Sequence, residues 1–160
     1  MPGSPTLPDP KTLPDLDFGE PLGAAQGVVF YSNLDDYYFS GEKSFCQSVY
    51  TGFKYQCVEG ARRHMLNLYG CIFGQCGPAG ELFGYTEVDN IVTGEKLPWV
   101  ACKNGETKVK PAVGMTLIYP ICKKMPVGHV AVIGAVIGSA VGWVVPVAVG
   151  DRAVTVPWQP

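Results

Sequence analysis

The sequence predicts an α+β fold in which one amphipathic helix packs on an antiparallel sheet. The helix is indicated by apolar side chains at helical spacing near the middle of the chain, ending at Gly70. The sheet is indicated by runs rich in β-branched residues at positions 127–136, 141–149 and 153–158. Glycines separate these runs, so an antiparallel meander is the expected connection.

Composition points to one folded domain behind an extended arm. The chain has 160 residues, of which 47% are hydrophobic and 16% are charged, which suits a single core. Frequent proline predicts an extended or disordered arm over residues 1–22, and the folded domain is expected over residues 23–160. The net charge of −2 gives no general attraction to phosphate backbones, so nucleic acid is not an expected partner.

The cysteines and histidines set expectations for compartment and cofactors. None of the six cysteines has Cys-x-x-Cys spacing, and the N-terminus has no basic segment followed by an apolar core. We therefore expect reduced thiols in a cytoplasmic protein. The two histidines, His64 and His129, have no cysteine at metal-ligand spacing, so a zinc site is not expected.

The predicted helix begins near Gln56 and places Cys57 in its first turn. Unpaired amide groups and the helix dipole at that end favour the thiolate, which is the nucleophilic form of cysteine. A buried structural cysteine is the alternative. Arg62 and Arg63 fall off the apolar stripe. That stripe consists of Val58, Ala61, Met65, Leu68 and Tyr69.

A histidine at the start of an apolar strand completes a candidate thiol–imidazole pair. His129 directly precedes Val130-Ala131-Val132, and an imidazole beside a thiol supplies the base that acyl transfer needs. The side-chain amide of Gln56 is able to donate to a developing oxyanion. The pattern indicates a cysteine hydrolase.

Further elements are expected on both sides of this helix. Val28–Tyr31 reads as a strand closed by a turn at Ser32 and Asn33, and an aromatic loop follows at positions 35–41. A short helix is expected from Ala79 to Tyr85, and a strand follows the turn at Gly114. The rest of the region from 71 to 110 shows no strong periodicity.

A membrane span is the competing interpretation of the C-terminal region. Residues 125–150 carry no formal charge, and this stretch is longer than the roughly 20 residues that a spanning helix needs. Gly134, Gly138 and Gly142 also have the spacing of a helix-packing motif. His129, Pro146 and the abundance of valine favour strands, so a membrane partner is not expected.

Four motifs in order resemble a known group of enzymes. They are Phe53-Lys54-Tyr55-Gln56-Cys57-Val58-Glu59, Ala61-Arg62-Arg63, Pro111-Ala112-Val113-Gly114 and Gly128-His129-Val130-Ala131. Together they resemble the CHAP group of cysteine, histidine-dependent amidohydrolases and peptidases. The segments 18–33 and 97–105 narrow the resemblance to the amidase domain of glutathionylspermidine synthetase/amidase and trypanothione synthetase.

The resemblance implies a papain-like fold and a specific reaction. Cys57 would attack the amide that joins glutathione to spermidine, and His129 would act as general base and acid. Gln56 would hold the oxyanion or the substrate carbonyl, and Arg62 would face a substrate carboxylate or fix the local structure. No cofactor is implied. The implied partners are a glutathione–polyamine conjugate and a separate synthetase.

Two departures from the family pattern leave alternatives open. Gly60 stands where the family has an aromatic residue, and Val144-Val145-Pro146-Val147 stands where the family has the acidic partner of the histidine. Asp151 is the nearest carboxylate that follows. The chain is therefore expected to be an active amidase or, alternatively, a catalytically impaired pseudo-amidase that binds the conjugate or a partner protein. A peptidoglycan hydrolase of the CHAP group is a third possibility.

Overall fold

The computed structural model describes residues 16–35, 37–103, 106 and 109–134 and the backbone of residues 143–145 and 154–156. Within it, helix α1 spans Cys57–Tyr69. Gln56 caps the start of α1 in an extended conformation. Gly70 ends the helix in the left-handed conformation at φ 61°, and its N–H donates to Leu66 O. These bounds confirm the predicted helix ends. Gly70 was a usable signal because a residue in the left-handed conformation is usually glycine.

The buried face of α1 differs from the predicted apolar stripe. Ala61 is buried as expected, but Tyr69 is 52% exposed, and Leu66 is a core residue with 1% exposure. Our placement of Arg62 away from the packed face is wrong, since its side chain is buried. Strands pack against α1 from several sides, so no single apolar stripe describes its contacts.

The described strands form five small antiparallel sheets. The pairs are β1 with β2, β3 with β4, β8 with β9 and β10 with β11, while β5, β6 and β7 form a three-stranded sheet. Their bounds are β1 Pro21–Ala25, β2 Val28–Tyr31, β3 Lys43–Cys46, β4 Val49–Phe53, β5 Cys71–Ile72, β6 Glu87–Asn90, β7 Lys96–Pro98, β8 Thr116–Tyr119, β9 His129–Val132, β10 Trp143–Val145 and β11 Val154–Val156.

The architecture is a mixture of helix and antiparallel sheet, compatible with the α+β prediction. Helix α1 contacts strands β2, β3, β4, β5 and β9, which belong to four of the small sheets, rather than one continuous sheet as expected. Strand β2 has the predicted bounds, and a 3₁₀ helix occupies Ala79–Gly84 where a short helix was expected. Strands β8 to β11 also fall within the predicted runs.

Several strands were missed by the sequence prediction, including β1, whose first two residues fall within the arm predicted over residues 1–22. The β3–β4 hairpin turns through Gln47 and Ser48, whose φ angles are 50° and 67°. Hairpin turns of this conformation usually contain glycine or asparagine. The turn therefore carried no recognisable signal.

The β8–β9 pair sorts its side chains onto two faces. Val130 and Val132 join the main core beneath α1, whereas Ala131 and Ile133 form a second buried cluster with Leu117 and Tyr119. The main core contains Ala25, Ala61, Cys71, Phe73, Ala79, Leu82, Val88, Val130 and Val132.

Strands rather than a membrane helix occupy the described parts of the apolar region. Residues 129–132 and 143–145 are strands β9 and β10. Across the described part of the chain, no helix combines the length and the hydropathy required to cross a bilayer. Residues 1–15 of the predicted arm lie outside the described residues, so its extent stays a prediction.

Candidate active site

Cys57 is the first residue of α1 and lies beside strand β9. Its half-buried side chain packs against the main core cluster that contains Val130 and Val132. Cys57 and Gln56 also line a cavity of about 10 Å³, room for about one water molecule, together with residues 130–132. The first N–H groups of a helix have no intrahelical acceptor, so amide donors surround Cys57.

Gln56 anchors the aromatic loop to the start of the helix. Its Nε2 donates to Tyr38 O at 3.0 Å and lies 3.4 Å from Asn33 Oδ1. Asn33 Nδ2 donates to the same Tyr38 carbonyl at 2.9 Å. One amide hydrogen of Gln56 is therefore committed to the loop, and the long contact to Asn33 leaves the other weakly held.

His129 opens strand β9, directly opposite Tyr119 of β8. The imidazole is 6% exposed, and its ring centroid lies 5.8 Å from that of Tyr119. Burial lowers the pKa of His129 from 6.5 to about 4. Its Nε2 is buried, and no group in the described ranges forms a hydrogen bond with it.

Within the described residues, no acidic group offsets the cost of charging His129. Burial alone accounts for the lowered pKa of His129, so no described carboxylate compensates the imidazolium. Asp151 and residues 146 and 147 lie outside the described residues, and only the backbone of residues 144 and 145 is described.

Helix α1 packs against strand β9, but Cys57 and the His129 ring lie on different faces of that strand. Cys57 contacts the cluster of Val130 and Val132, whereas the His129 ring contacts Tyr119, which packs with Ala131. Alternate residues of a strand point to opposite faces, which accounts for this separation. Position 129 is the first of the strand, at the edge of both faces.

Arg62 is a buried cation one turn beyond Cys57. Its Nη2 donates to Tyr50 O at 3.3 Å, and Cζ lies 5.9 Å from the centroid of the Phe73 ring. Nε is buried and has no hydrogen-bond partner in the part of the chain that the structure describes. Burial lowers the pKa of Arg62, and Cys76, Tyr50 and Tyr85 oppose that shift.

Cys76 is a second thiol near the candidate nucleophile that sequence analysis missed. Burial raises the pKa of Cys76, the neighbouring Cys57 raises it further, and Arg62 opposes both effects. Cys76 therefore favours the protonated form. Its position nineteen residues beyond Cys57 in sequence gave no spacing signal, because only the tertiary fold brings the two thiols together.

Glu59 is the second residue that the sequence analysis overlooked. This 1% exposed carboxylate accepts hydrogen bonds at Oε1 from Ser44 Oγ at 2.9 Å, Thr51 Oγ1 at 3.3 Å and Arg63 Nε at 2.8 Å. It thereby fastens the β3–β4 hairpin to the first turn of α1. A carboxylate two residues after the candidate nucleophile was the available signal.

Gly60 allows an aromatic ring to approach the helix. A Cβ at this position would lie 2.9 Å from Cδ1 of Phe30. The Phe30 ring therefore occupies the space beside Gly60, which explains how a position that is aromatic in the resembled family is filled here.

Among the described residues, no three His, Cys, Asp or Glu side chains converge as metal ligands.

Comparison with known proteins identifies homologues. The chain is 42% identical over 119 residues to trypanothione synthetase of Crithidia fasciculata, covering 74% of this chain and 18% of that protein. It is 34% identical over 139 residues to the bifunctional glutathionylspermidine synthetase/amidase of Escherichia coli (strain K12), covering 81% of this chain and 22% of that protein. The Shigella flexneri enzyme of the same name matches equally. No protein-family model matches the chain. The chain spans about a fifth of the length of these relatives.

Proposed function

We propose, from the homology to trypanothione synthetase and glutathionylspermidine synthetase/amidase, that this chain is a thiol-dependent amidohydrolase with a papain-like CHAP fold. Its substrate would be the amide between glutathione and spermidine, in glutathionylspermidine or trypanothione. The observation that carries the proposal is the position of Cys57 at the first residue of α1, beside the strand that His129 opens. This arrangement places the nucleophile beside helix amide donors, on a helix that packs against the strand opened by the proposed base.

The reaction would proceed through a thioester. His129 takes the proton of Cys57, and the sulfur attacks the carbonyl carbon of the glutathione glycine. The C–N bond then breaks, and the imidazolium returns the proton to the departing polyamine nitrogen. Water, deprotonated by His129, attacks the thioester carbon, and the C–S bond breaks to release glutathione and regenerate the thiol.

Charge developing on the carbonyl oxygen would be stabilised at the helix start. One donor would come from the backbone N–H groups of the first turn of α1, where the helix dipole also favours negative charge. Gln56 would supply the second donor through the amide hydrogen that only the 3.4 Å contact to Asn33 engages. Its bond to Tyr38 O would meanwhile keep the side chain in place.

Arg62 would bind a carboxylate of the glutathione portion. A buried guanidinium whose Nε lacks a partner in the described ranges is costly to maintain, and an anionic ligand would offset that cost. The fixed position above Phe73 favours recognition of a planar carboxylate. Because the homologues include a synthetase, a separate synthetase partner remains part of the proposal, as does a cytoplasmic location.

A catalytically impaired pseudo-amidase is the second candidate. The observation that favours it is His129 Nε2, which is buried without a partner among the described residues. In a serine triad, loss of the acidic partner lowers the rate by about four orders of magnitude. Such a protein would bind the conjugate, or a partner protein, without appreciable turnover.

Polyamine release separates the two candidates. Purified protein is incubated with glutathionylspermidine, and spermidine is quantified by amine derivatisation. The amidase proposal expects release that Cys57→Ala lowers by about 10³-fold or more, while Cys102→Ala, at an exposed thiol, leaves it unchanged. Saturable binding by calorimetry without release supports the pseudo-amidase. If the protein neither releases spermidine nor binds the conjugate, both candidates are refuted.

A further inference from the structure

Tyr119 is a described residue that is placed to orient the imidazole of His129. It is the cross-strand partner of His129 in the β8–β9 register, and the two ring centroids lie 5.8 Å apart with an interplanar angle of 44°. Directly opposed residues of an antiparallel pair are close neighbours on one face. The phenol is therefore held against the imidazole by backbone pairing rather than by a flexible loop.

Both side chains carry a buried polar atom without a partner. Within the described ranges, neither Tyr119 Oη nor His129 Nε2 has a hydrogen-bond partner. Each unpaired buried group costs about 1–3 kcal/mol, so native proteins rarely leave such groups unsatisfied. A hydrogen bond between them, or one buried water that bridges them, removes both costs together.

The protonation states of the two groups are complementary. Burial raises the pKa of Tyr119 and lowers that of His129, so both are neutral at pH 7. A neutral imidazole carries one N–H and one lone pair, and a phenol oxygen accepts as well as donates. The choice between imidazole tautomers depends on which hydrogen bond the ring makes.

We propose that Tyr119 is a positioning residue linked to His129 through one buried water, which accepts a hydrogen bond from Nε2–H of His129 and donates one to the Tyr119 hydroxyl oxygen. This bond fixes the tautomer in which Nδ1 carries the lone pair. The inference rests on the proposed function for its catalytic meaning, because Nδ1 is then the ring nitrogen that is able to accept a proton. A neutral phenol orients the ring but does not stabilise the imidazolium as a carboxylate does.

The first test reads the tautomer directly. The ¹⁵N chemical shifts of the His129 imidazole are measured by NMR at pH 7 in the unmodified protein and in Tyr119→Phe, with Tyr69→Phe as the control at a 52% exposed tyrosine on the far end of α1. We expect the Nε2–H tautomer in the unmodified protein and in Tyr69→Phe. Tyr119→Phe should lower the ratio of Nε2–H to Nδ1–H about five- to tenfold.

Two outcomes overturn the inference. One is an Nδ1–H tautomer in the unmodified protein, a result that requires no variant to fold. The other is an unchanged tautomer ratio in folded Tyr119→Phe. The kinetic counterpart is a fall in kcat of about tenfold with unchanged KM. A protein that shifts its tautomer but releases no spermidine contradicts the amidase proposal and leaves the Tyr119 inference standing.

Discussion

The buried imidazole of His129 should make the fold sensitive to mild acid. Its pKa is about 4 in the folded protein and 6.5 when exposed. Between these values the unfolded chain binds a proton that the folded protein does not, so the free energy of unfolding falls as the pH falls from 6.5 to about 4. Below about 4 both states are protonated and this contribution levels off.

The magnitude follows from the two pKa values. At about 1.4 kcal/mol for each pKa unit, the full loss from His129 is about 3 kcal/mol. At pH 5 about 2 kcal/mol of it has been lost. Since a domain of this size has a total stability of roughly 5–15 kcal/mol, the effect is a substantial fraction of it.

Urea unfolding at pH 7 and pH 5 measures the effect. The comparison uses the unmodified protein and His129→Gln, whose side chain stays neutral across the range. Other titrating groups are common to both, so the difference between the two pH-dependent losses isolates His129, with an expected value of about 2 kcal/mol.

A matched variant separates the two buried histidines. Burial, with a further contribution from Arg63, also lowers the pKa of His64. His64→Gln should therefore remove the pH-dependent loss of stability that His64 causes and retain the loss that His129 causes. If His129→Gln and the unmodified protein lose the same stability between pH 7 and pH 5, within about 0.5 kcal/mol, the imidazole is not held neutral by burial and the reasoning is refuted.

Two further predictions concern the scaffold around the site. Gly128→Ala should destabilise the protein by about 3 kcal/mol, because φ is +65° and the added Cβ would lie 2.6 Å from Gly80 N. The control Gly94→Ala, at φ +76° with nothing within 4 Å of the added Cβ, should cost only about 1 kcal/mol. Equal losses of stability for the two variants in urea unfolding would contradict the close approach of Gly128 to Gly80. Glu59→Ala should cost about 3 kcal/mol or more because it leaves Arg63 without its buried carboxylate, whereas Glu42→Ala, in the exposed ion pair with Lys54, should cost less than about 1 kcal/mol; similar midpoints for the two variants would show that Glu59 is not a structural anchor.

Local signals in the sequence predicted the elements that depend on local conformation. Gly70 marked the end of α1 because a left-handed residue is usually glycine, and the β-branched runs marked β2, β8 and β9. The β3–β4 hairpin could not be predicted in the same way. Its turn places Gln47 and Ser48 at positive φ, where neither residue type is expected.

The sequence predicted the candidate site only for those residues whose position is set within a single helix or strand. The predicted helix start fixed the places of Gln56, which is the cap residue, and of Cys57, which follows it. The burial of Arg62 and Glu59 depends on strands that are distant in sequence, and periodicity within one helix carries no information on them. The pairing of Tyr119 with His129 depends on strand register, which two apolar runs leave undetermined until they pair.

The anchor between Gln56 and the aromatic loop uses a backbone acceptor. The amide of Gln56 reaches the carbonyl of Tyr38, a group that every residue type possesses. Side chains in this loop, such as the 92% exposed Tyr37, can therefore be exchanged without removing the bond that holds the loop to the helix. Substitution of Tyr37 should therefore leave the loop attached to the start of the helix.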